Sequence, residues 1–250
     1  AMTEVACHSG TELSLLPLRD LRLITVDALK ALLVASHTRL PGVTFQHLPV
    51  FEVAAAIPDL ADALPVLQDA GLGSLYLNFE AGRSSAYSRH DLAALLTRAA
   101  AAGLGVSSAV TIGHTESLEQ RVDLLALLRD LQQKTGAIQS VLVRIHRATD
   151  SDARPEEEAT AVDYLKTLAV ARLFLHNVEH LQTDWSVMGP KVLELALRFG
   201  ADDAGAVPWS QAGSPGPSHH GGESELRRII RDAGFQPVER DALFRQSLLH

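Results

Sequence analysis

The chain has 250 residues, of which 46% are hydrophobic and 5% aromatic, and its formal net charge at pH 7 is −8. An acidic surface is a poor match for nucleic acid, because phosphate binding needs clustered lysines and arginines. No stretch approaches the roughly 18 apolar residues of a membrane helix, and the amino terminus lacks a basic and then apolar signal. We therefore expect a cytoplasmic protein without a nucleic-acid or membrane partner, and its single cysteine, Cys7, excludes an internal disulfide.

Short apolar runs alternate along the chain with amphipathic runs that end at glycine. The predicted strands are Leu13–Leu18, Val43–Leu48, Ser74–Phe79, Val106–Ile112, Ile138–Ile145 and Thr183–Val187. The predicted helices are Thr25–Ala35, Asp59–Asp69, Ser88–Ala102, Ser117–Lys134, Ala161–Leu175 and Pro190–Phe199. We expect Ser117 to form a capping box with Gln120, and Thr160 to cap the following helix. This alternation predicts βαβ units and a mostly parallel sheet.

The alternation ends near residue 204. Residues 1–204 are predicted to form an α/β fold, an incomplete TIM-like (β/α) barrel of about six parallel strands. Gly205–Gly222 is rich in Gly, Pro, Ser and His and predicts a flexible loop. Residues 223–250 are predicted to pack on the barrel as a helix, Glu223–Ala233, and an extended tail, Phe235–Leu243.

Ligands bind parallel α/β folds at the carboxyl ends of the strands, so the polar residues there are the candidates for function. His114 follows a strand directly and Glu80 ends another; both are candidate catalytic acids or bases, since an imidazole titrates near neutral pH. The other candidates, including one helical arginine, are ligand-binding residues: Glu52, Asn78, Gly113, Glu116, His146, Arg172 and Asp184. His114 could equally cap its own turn, and Glu52 could equally be a solvated helix start.

Metal binding is not predicted. His176 and His180 are four residues apart, which suits zinc only if the helix continues and a third ligand is present. Asp202 and Asp203 follow a helix and more often close a turn than bind magnesium.

Several segments resemble, in order and spacing, the radical S-adenosylmethionine enzymes of the futalosine route to menaquinone, aminofutalosine synthase and dehypoxanthine futalosine cyclase. The Gly-His-x-Glu step at Gly113–Glu116 carries the resemblance together with further segments. These are Leu128–Gly136, Leu168–Asn177, Trp185–Lys191, Phe199–Asp203 and Ser224–Asp241. The resemblance covers more than about 200 residues, weakly before Val106, and implies a radical-enzyme barrel with ligand at the strand carboxyl ends.

The departures from the family concern its cofactors. The family holds a [4Fe–4S] cluster through a Cys-x3-Cys-x2-Cys triplet and uses S-adenosylmethionine, whereas this chain has only Cys7. The matched segments place the start of this chain near the third strand of the family's barrel. Leu77–Ala81 stands where the family has a glycine-rich stretch, and His176 stands where it has aspartate. We therefore expect no cofactor.

Three functions follow from these matches and departures. The first is a cluster-free, degenerate homologue with a binding or accessory role beside menaquinone synthesis. The second is an enzyme of different chemistry that uses acid and base residues at the strand ends. The third is one half of a split radical enzyme, or a chain whose cluster region is encoded upstream. An open barrel leaves unpaired strand edges, so a homodimer or a partner chain that covers them is expected, as is a small-molecule ligand.

Overall fold

The computed structural model describes residues 12–14, 24–39, 44–54, 56–83, 85, 87–113, 116–146, 159–205, 222–241 and 243–245. In chain order its elements are β1 (Glu12–Ser14), α1 (Val26–Arg39), β2 (Thr44–Gln46), β3 (Leu48–Pro49), α2 (Val50–Val53), α3 (Leu60–Asp69), β4 (Ser74–Glu80), α4 (Arg89–Ala101), β5 (Gly105–Ile112), α5 (Leu118–Thr135), β6 (Ile138–Ile145), α6 (Ala161–Phe174), β7 (His180–Thr183), α7 (Trp185–Met188), α8 (Pro190–Arg198) and α9 (Glu223–Asp232). None of the described helices is long and apolar enough to cross a lipid bilayer.

All recorded strand pairs are parallel. β1 pairs with β2, and β3 to β7 form a second sheet in chain order. A bridge between Phe45 and Leu72 joins β2 to the residues just before β4, so β2 and β3 are successive parts of one strand position. Six strand positions therefore lie side by side, and the predicted incomplete α/β barrel is confirmed.

The two faces of this sheet differ in polarity. Alternate strand residues point outward to the helices and build the main core, with Leu75, Val110 and Val143 among its buried members. The intervening residues point inward and are largely polar; the hydroxyls of Ser107 and Ser140, for example, meet across β5 and β6 at 3.1 Å. Burying the outward face stabilises the fold, and the inward face is left for polar contacts.

Two predicted strands differ from the structure. Val43–Leu48 is broken at His47, whose φ of 63° is left-handed and interrupts the ladder between β2 and β3. Thr183–Val187 is wrong as a strand, because β7 ends at Thr183 and the side chain of Asp184 then caps a short helix by accepting from the Val187 N–H. The two β-branched residues of so short a segment, Thr183 and Val187, do not distinguish strand from helix.

Both predicted helix caps are confirmed. The Ser117 hydroxyl accepts from the Gln120 N–H while the Gln120 side chain accepts from the Ser117 N–H, which is a complete capping box. Thr160 makes the equivalent pair with Asp163 at the start of α6.

The carboxyl-terminal segment packs on the barrel at two places. Helix α9 lies against α8 through a small apolar cluster centred on Trp185 and Ile229. The following residues reach the amino end of the sheet, where Phe244 stacks on His180, the first residue of β7, at a centroid distance of 4.3 Å. Of the predicted flexible loop Gly205–Gly222, residues 206–221 lie outside the described residues.

Candidate functional site

A cavity of about 210 Å³ lies at the carboxyl ends of β4 to β7. It is lined by Asn78, Glu80, Thr111, Arg144, Ile145, His146, Asp184, Val187 and Met188. Four of the residues predicted from the sequence therefore lie around one cavity: Asn78, Glu80, His146 and Asp184. They come from three strand ends that are far apart in sequence, as a parallel sheet requires.

Strand register brings the polar side chains to one level. Glu80 of β4 is paired with Thr111 of β5, and Thr111 is paired with Arg144 of β6. The same face carries Asn78, two residues before Glu80, because side chains alternate along a strand. The backbone N–H of His146 donates to the Ile112 carbonyl at 2.7 Å, which extends the ladder by one step and fixes His146 at the rim.

Hydrogen bonds and an ion pair orient four of the cavity side chains. The Thr111 hydroxyl donates to Asn78 Oδ1 at 2.9 Å, and Glu80 pairs with Arg83 of the following turn at 2.8 Å. Asp184 accepts from Val187 and so belongs to the helix start as well as to the cavity.

Tyr76 lies on the same inward face, one step deeper. Burial raises the pKa of its phenol, the nearby Arg144 opposes that rise, and the carboxylates of Glu52 and Asp184 add to it. The Arg144 Nη1 lies 3.5 Å from the phenol oxygen. The buried phenol is thus held neutral beneath the polar side chains of the cavity.

Gly113 and Glu116 form a structural turn beside the cavity. The Glu116 carboxylate accepts from the Gly113 N–H at 2.9 Å and pairs with Arg121 at 2.8 Å, and only 1% of its side chain is exposed. Gly113 has a φ of 96°, and a side chain there would crowd Ala159. These two predicted ligand-binding residues hold the strand-to-helix turn after β5, and neither lines the cavity.

The other predicted residues lie elsewhere. Glu52 is exposed in α2, near the cavity but not lining it. Arg172 lies at the opposite end of the barrel, where it donates to the Gly200 carbonyl at 2.9 Å and to Asp202 at 3.2 Å. His114, the main catalytic candidate, is outside the described residues.

Thr111 and Arg144 are cavity residues that the sequence analysis missed. Both lie inside predicted strands, whereas the candidates were taken from the residues that follow strands. Their alternation with buried apolar neighbours such as Val110 and Val143 was the available signal, because it places them on the inward face.

The residues present do not match the donors of an iron–sulfur cluster. Cluster irons are held by several cysteine thiolates, and Cys7 is the sole cysteine of the sequence and lies outside the described residues. Across the described ranges, no group of three or more His, Cys, Asp or Glu side chains is arranged to hold a metal ion. His176 and His180 do not share a helix face, since α6 ends at Phe174 and His180 opens β7.

Curated relatives match a little over half of this chain. Cyclic dehypoxanthine futalosine synthase of Streptomyces coelicolor is 32% identical over 152 residues, which cover 59% of this chain and 38% of the relative. Aminodeoxyfutalosine synthase of Thermus thermophilus is 35% identical over 153 residues, covering 58% and 41%. The 5-amino-6-(D-ribitylamino)uracil–L-tyrosine 4-hydroxyphenyl transferase 2 of Methanosarcina barkeri is 28% identical, covering 60% and 42%. The matches thus span about two fifths of each relative's length.

Solved structures show the same fold at low identity. The FeFe-hydrogenase maturase HydG from Carboxydothermus hydrogenoformans superposes with a TM-score of 0.63 at 14% identity, covering 98% of this chain and 61% of that one. Methylornithine synthase gives 0.57 at 14% identity, covering 85% and 64%.

A family model matches the carboxyl-terminal part of the chain. The model of the CofH/MqnC C-terminal region matches residues 138–248, from β6 to the carboxyl-terminal segment. The resemblance seen in the sequence motifs is confirmed by this match and by the two futalosine enzymes. Residues 138–248 therefore match the CofH/MqnC C-terminal region, and the chain is a homologue of the futalosine-pathway radical S-adenosylmethionine enzymes.

Proposed function

We propose that this chain is a cluster-free homologue of the futalosine-pathway enzymes whose barrel binds a small polar molecule, in a binding or accessory role. The observation that carries the proposal is the cavity at the carboxyl ends of β4 to β7, where an amide, a hydroxyl, a guanidinium, an imidazole and two carboxylates meet. A concave site with a few convergent polar groups is the usual form of a small-molecule site.

The size and lining of the cavity support a small ligand. Its volume of about 210 Å³ lies below the roughly 300–1,000 Å³ of sites for drug-sized ligands. Ile145, Val187 and Met188 add apolar side chains to the polar lining. A compact molecule with both polar and apolar parts matches this lining.

The cluster-free part of the proposal rests on donor chemistry. Cluster ligation needs thiolates, and the oxygen and nitrogen donors around the cavity are not arranged as a metal site within the described residues. We therefore assign no chemical step to a cluster or to S-adenosylmethionine in this chain.

A thermal-shift screen of the full chain against a library of polar metabolites tests the proposal. A molecule present at 100 times its dissociation constant should stabilise the protein by about 2.7 kcal/mol. Glu80→Ala, His146→Ala and His114→Ala each remove one candidate contact, and Glu179→Ala, at an exposed position away from the cavity, is the matched control. A hit whose affinity is unchanged in the Glu80 and His146 variants would show that the site is elsewhere, and the His114 variant tests the predicted catalytic residue separately.

The second candidate function is the catalytic barrel of an enzyme whose cluster-binding part is a separate chain or segment. Two observations favour it: the matches span about two fifths of the curated relatives, and within the described residues β1 pairs with β2 alone. The test is to mix the purified chain with the separately expressed cysteine-containing amino-terminal part of the Streptomyces relative. Stable co-elution of the two with a bound cluster would favour this function, and separate elution would exclude it for that pair.

A further inference from the structure

Arg144 projects from the inward face of β6 into the cavity with its side chain half-buried. Its recorded polar contact is the Tyr76 hydroxyl at 3.5 Å, which is at the long limit for a hydrogen bond. In the part of the chain that the structure describes, no carboxylate lies within 4.0 Å of its guanidinium. Within the described residues, the Arg144 guanidinium therefore makes no direct ion pair, although two carboxylates line the same cavity.

Other half-buried arginines of the described residues are paired with carboxylates. Arg121 pairs with Glu116 at 2.8 Å, and Arg240 pairs with Asp203 at 2.7 Å. Arg172 pairs with Asp202 at 3.2 Å. Partly buried guanidinium groups need a carboxylate or a similar anion, because desolvating the charge is costly. Arg144 departs from this pattern at a cavity, where a ligand can supply the anion.

Asn78 adds a second donor to the same cavity. Its Oδ1 already accepts from Thr111 at 2.9 Å, so the amide NH₂ is the half of the group that is left to donate. Asn78 and Arg144 both line the cavity, on β4 and β6 on either side of β5. The Arg144 guanidinium and the Asn78 amide thus both offer hydrogen-bond donors to the same cavity.

The carboxylates of the cavity restrict which anion fits. Glu80 is paired with Arg83, and Asp184 caps α7, so both stay at the walls as negative charges. A doubly charged phosphate would be repelled by them more strongly than a singly charged carboxylate. Hydrogen-bond donors on the ligand, such as hydroxyls, would be attracted to the same two groups.

We propose that Arg144 anchors the carboxylate of a small hydroxycarboxylic acid in this cavity, with Asn78 as the second donor. This inference rests on the proposed function, since it assumes that the cavity is a ligand site. A carboxylate can accept two parallel bonds from the planar guanidinium fork, which a lysine cannot reproduce.

An NMR titration of the isotope-labelled full chain tests the assignment with three probes: lactate, its uncharged counterpart lactamide, and inorganic phosphate. We expect lactate to shift the resonances of residues at the ends of β4 to β6, with lactamide and phosphate binding more weakly. Arg144→Gln should weaken lactate binding at least about tenfold, and Arg144→Lys several-fold, because it keeps the charge and loses the fork. Arg98→Gln is the control, since Arg98 is exposed on α4 and pairs with Asp62.

Equal lactate affinity in the wild type and in Arg144→Gln would overturn the inference, as would tighter binding of phosphate than of lactate. Equal binding of lactate and lactamide at the cavity would also overturn it, while leaving the cavity as a ligand site. If no probe shifts a cavity resonance, Arg144 is not a carboxylate anchor, and the metabolite screen with the Glu80 and His146 variants then decides the proposed function separately.

Discussion

His47 determines the backbone path and the side-chain contacts between β2 and β3. It lies between β2 and β3 with a left-handed backbone, its N–H donates to the Ser74 hydroxyl at 2.8 Å, and its ring meets Tyr76 edge-on at a centroid distance of 6.0 Å. Burial, and to a lesser degree the positive charge of Arg240, lower the pKa of His47 from 6.5 to about 4. The imidazole is thus kept neutral inside the barrel at neutral pH.

This shift predicts a pH-dependent stability. Between pH 6.5 and about pH 4 the unfolded chain binds the His47 proton and the folded chain does not, so stability is lost as pH falls through that window. We expect His47→Asn, which tolerates the positive φ, to reduce this loss by at most about 3 kcal/mol. Urea unfolding at the two ends of the window measures it. His176→Asn, at an exposed turn, should leave the wild-type slope unchanged; an unchanged slope in His47→Asn would contradict the assignment.

Position along the chain was sufficient to predict which residues gather at the carboxyl edge of the sheet. Asn78, Glu80, His146 and Asp184 stand at or just after strand ends, which converge in any parallel sheet, and all four line the cavity. Arg144 was missed because the candidates were taken from residues that follow strands, although its alternation with Val143 indicates the inward face. Which side chains meet across the sheet depends on strand register, and no single segment specifies register.

Helix starts are the elements that the sequence predicted best, because a capping box depends on residues three apart. Ser117→Ala removes the hydroxyl that accepts from the Gln120 N–H and should lower the free energy of unfolding by about 1 kcal/mol. Chemical denaturation measures the change. Gln133→Ala, at an exposed position in the same helix, should stay within about 0.5 kcal/mol of the wild type. A loss in Gln133→Ala as large as that in Ser117→Ala would mean that the cap is not the cause.

Short elements were predicted least well, since they obtain their stability from other parts of the fold. The predicted strand Thr183–Val187 shares only Thr183 with β7, and its remainder starts the four-residue helix α7, because Asp184 acts as a helix cap. The anchoring of the carboxyl-terminal tail is likewise tertiary. Arg240 pairs with Asp203 through two hydrogen bonds of 2.7 and 2.9 Å and lies 4.5 Å from the ring centroid of Phe244.

The Arg240 pair should fix the tail to the amino end of the barrel. In Arg240→Ala the Asp203 side chain, only 9% exposed, loses its counter-charge, and we expect a loss of about 2–3 kcal/mol, below the range for fully buried pairs because Arg240 is partly exposed. Hydrogen exchange should rise at residues 235–245 together with the first residues of β5 and β7. Arg245→Ala, whose partner Asp241 forms a more exposed pair, should change stability by less than about 1 kcal/mol. If faster hydrogen exchange were confined to residues 235–245, the proposed coupling between the tail and the barrel would be contradicted.

At the scale of the whole molecule, alternation of strands and helices was sufficient to predict the barrel, and motif order was sufficient to predict the family. What neither could predict is the composition of the barrel interior. Its inward face carries Ser107, Ser140, Asn78 and Arg144, which come from β4, β5 and β6 and meet only when these three strands pair in register. The fold is thus retained from the family, and its chemistry follows from the side chains that line it.

Iron binding is the whole-molecule property that most directly separates this chain from the enzymes it resembles. A [4Fe–4S] cluster of that family needs three protein thiolates, and the 250 residues contain one, at Cys7. Even two copies of the chain that shared a cluster through Cys7 would supply too few ligands to hold it through purification.

Anaerobic reconstitution with iron and sulfide should therefore leave the purified chain colourless and free of stoichiometric iron. The absorbance of the desalted protein and its iron content measure this, and Cys7→Ser should behave as the wild type does. A relative such as the Thermus aminodeoxyfutalosine synthase, treated in parallel, serves as the positive control for the procedure. A stable cluster spectrum in the wild type that is lost in Cys7→Ser would contradict the cluster-free function, because the missing ligands would then have to come from a second copy or from residues other than cysteine.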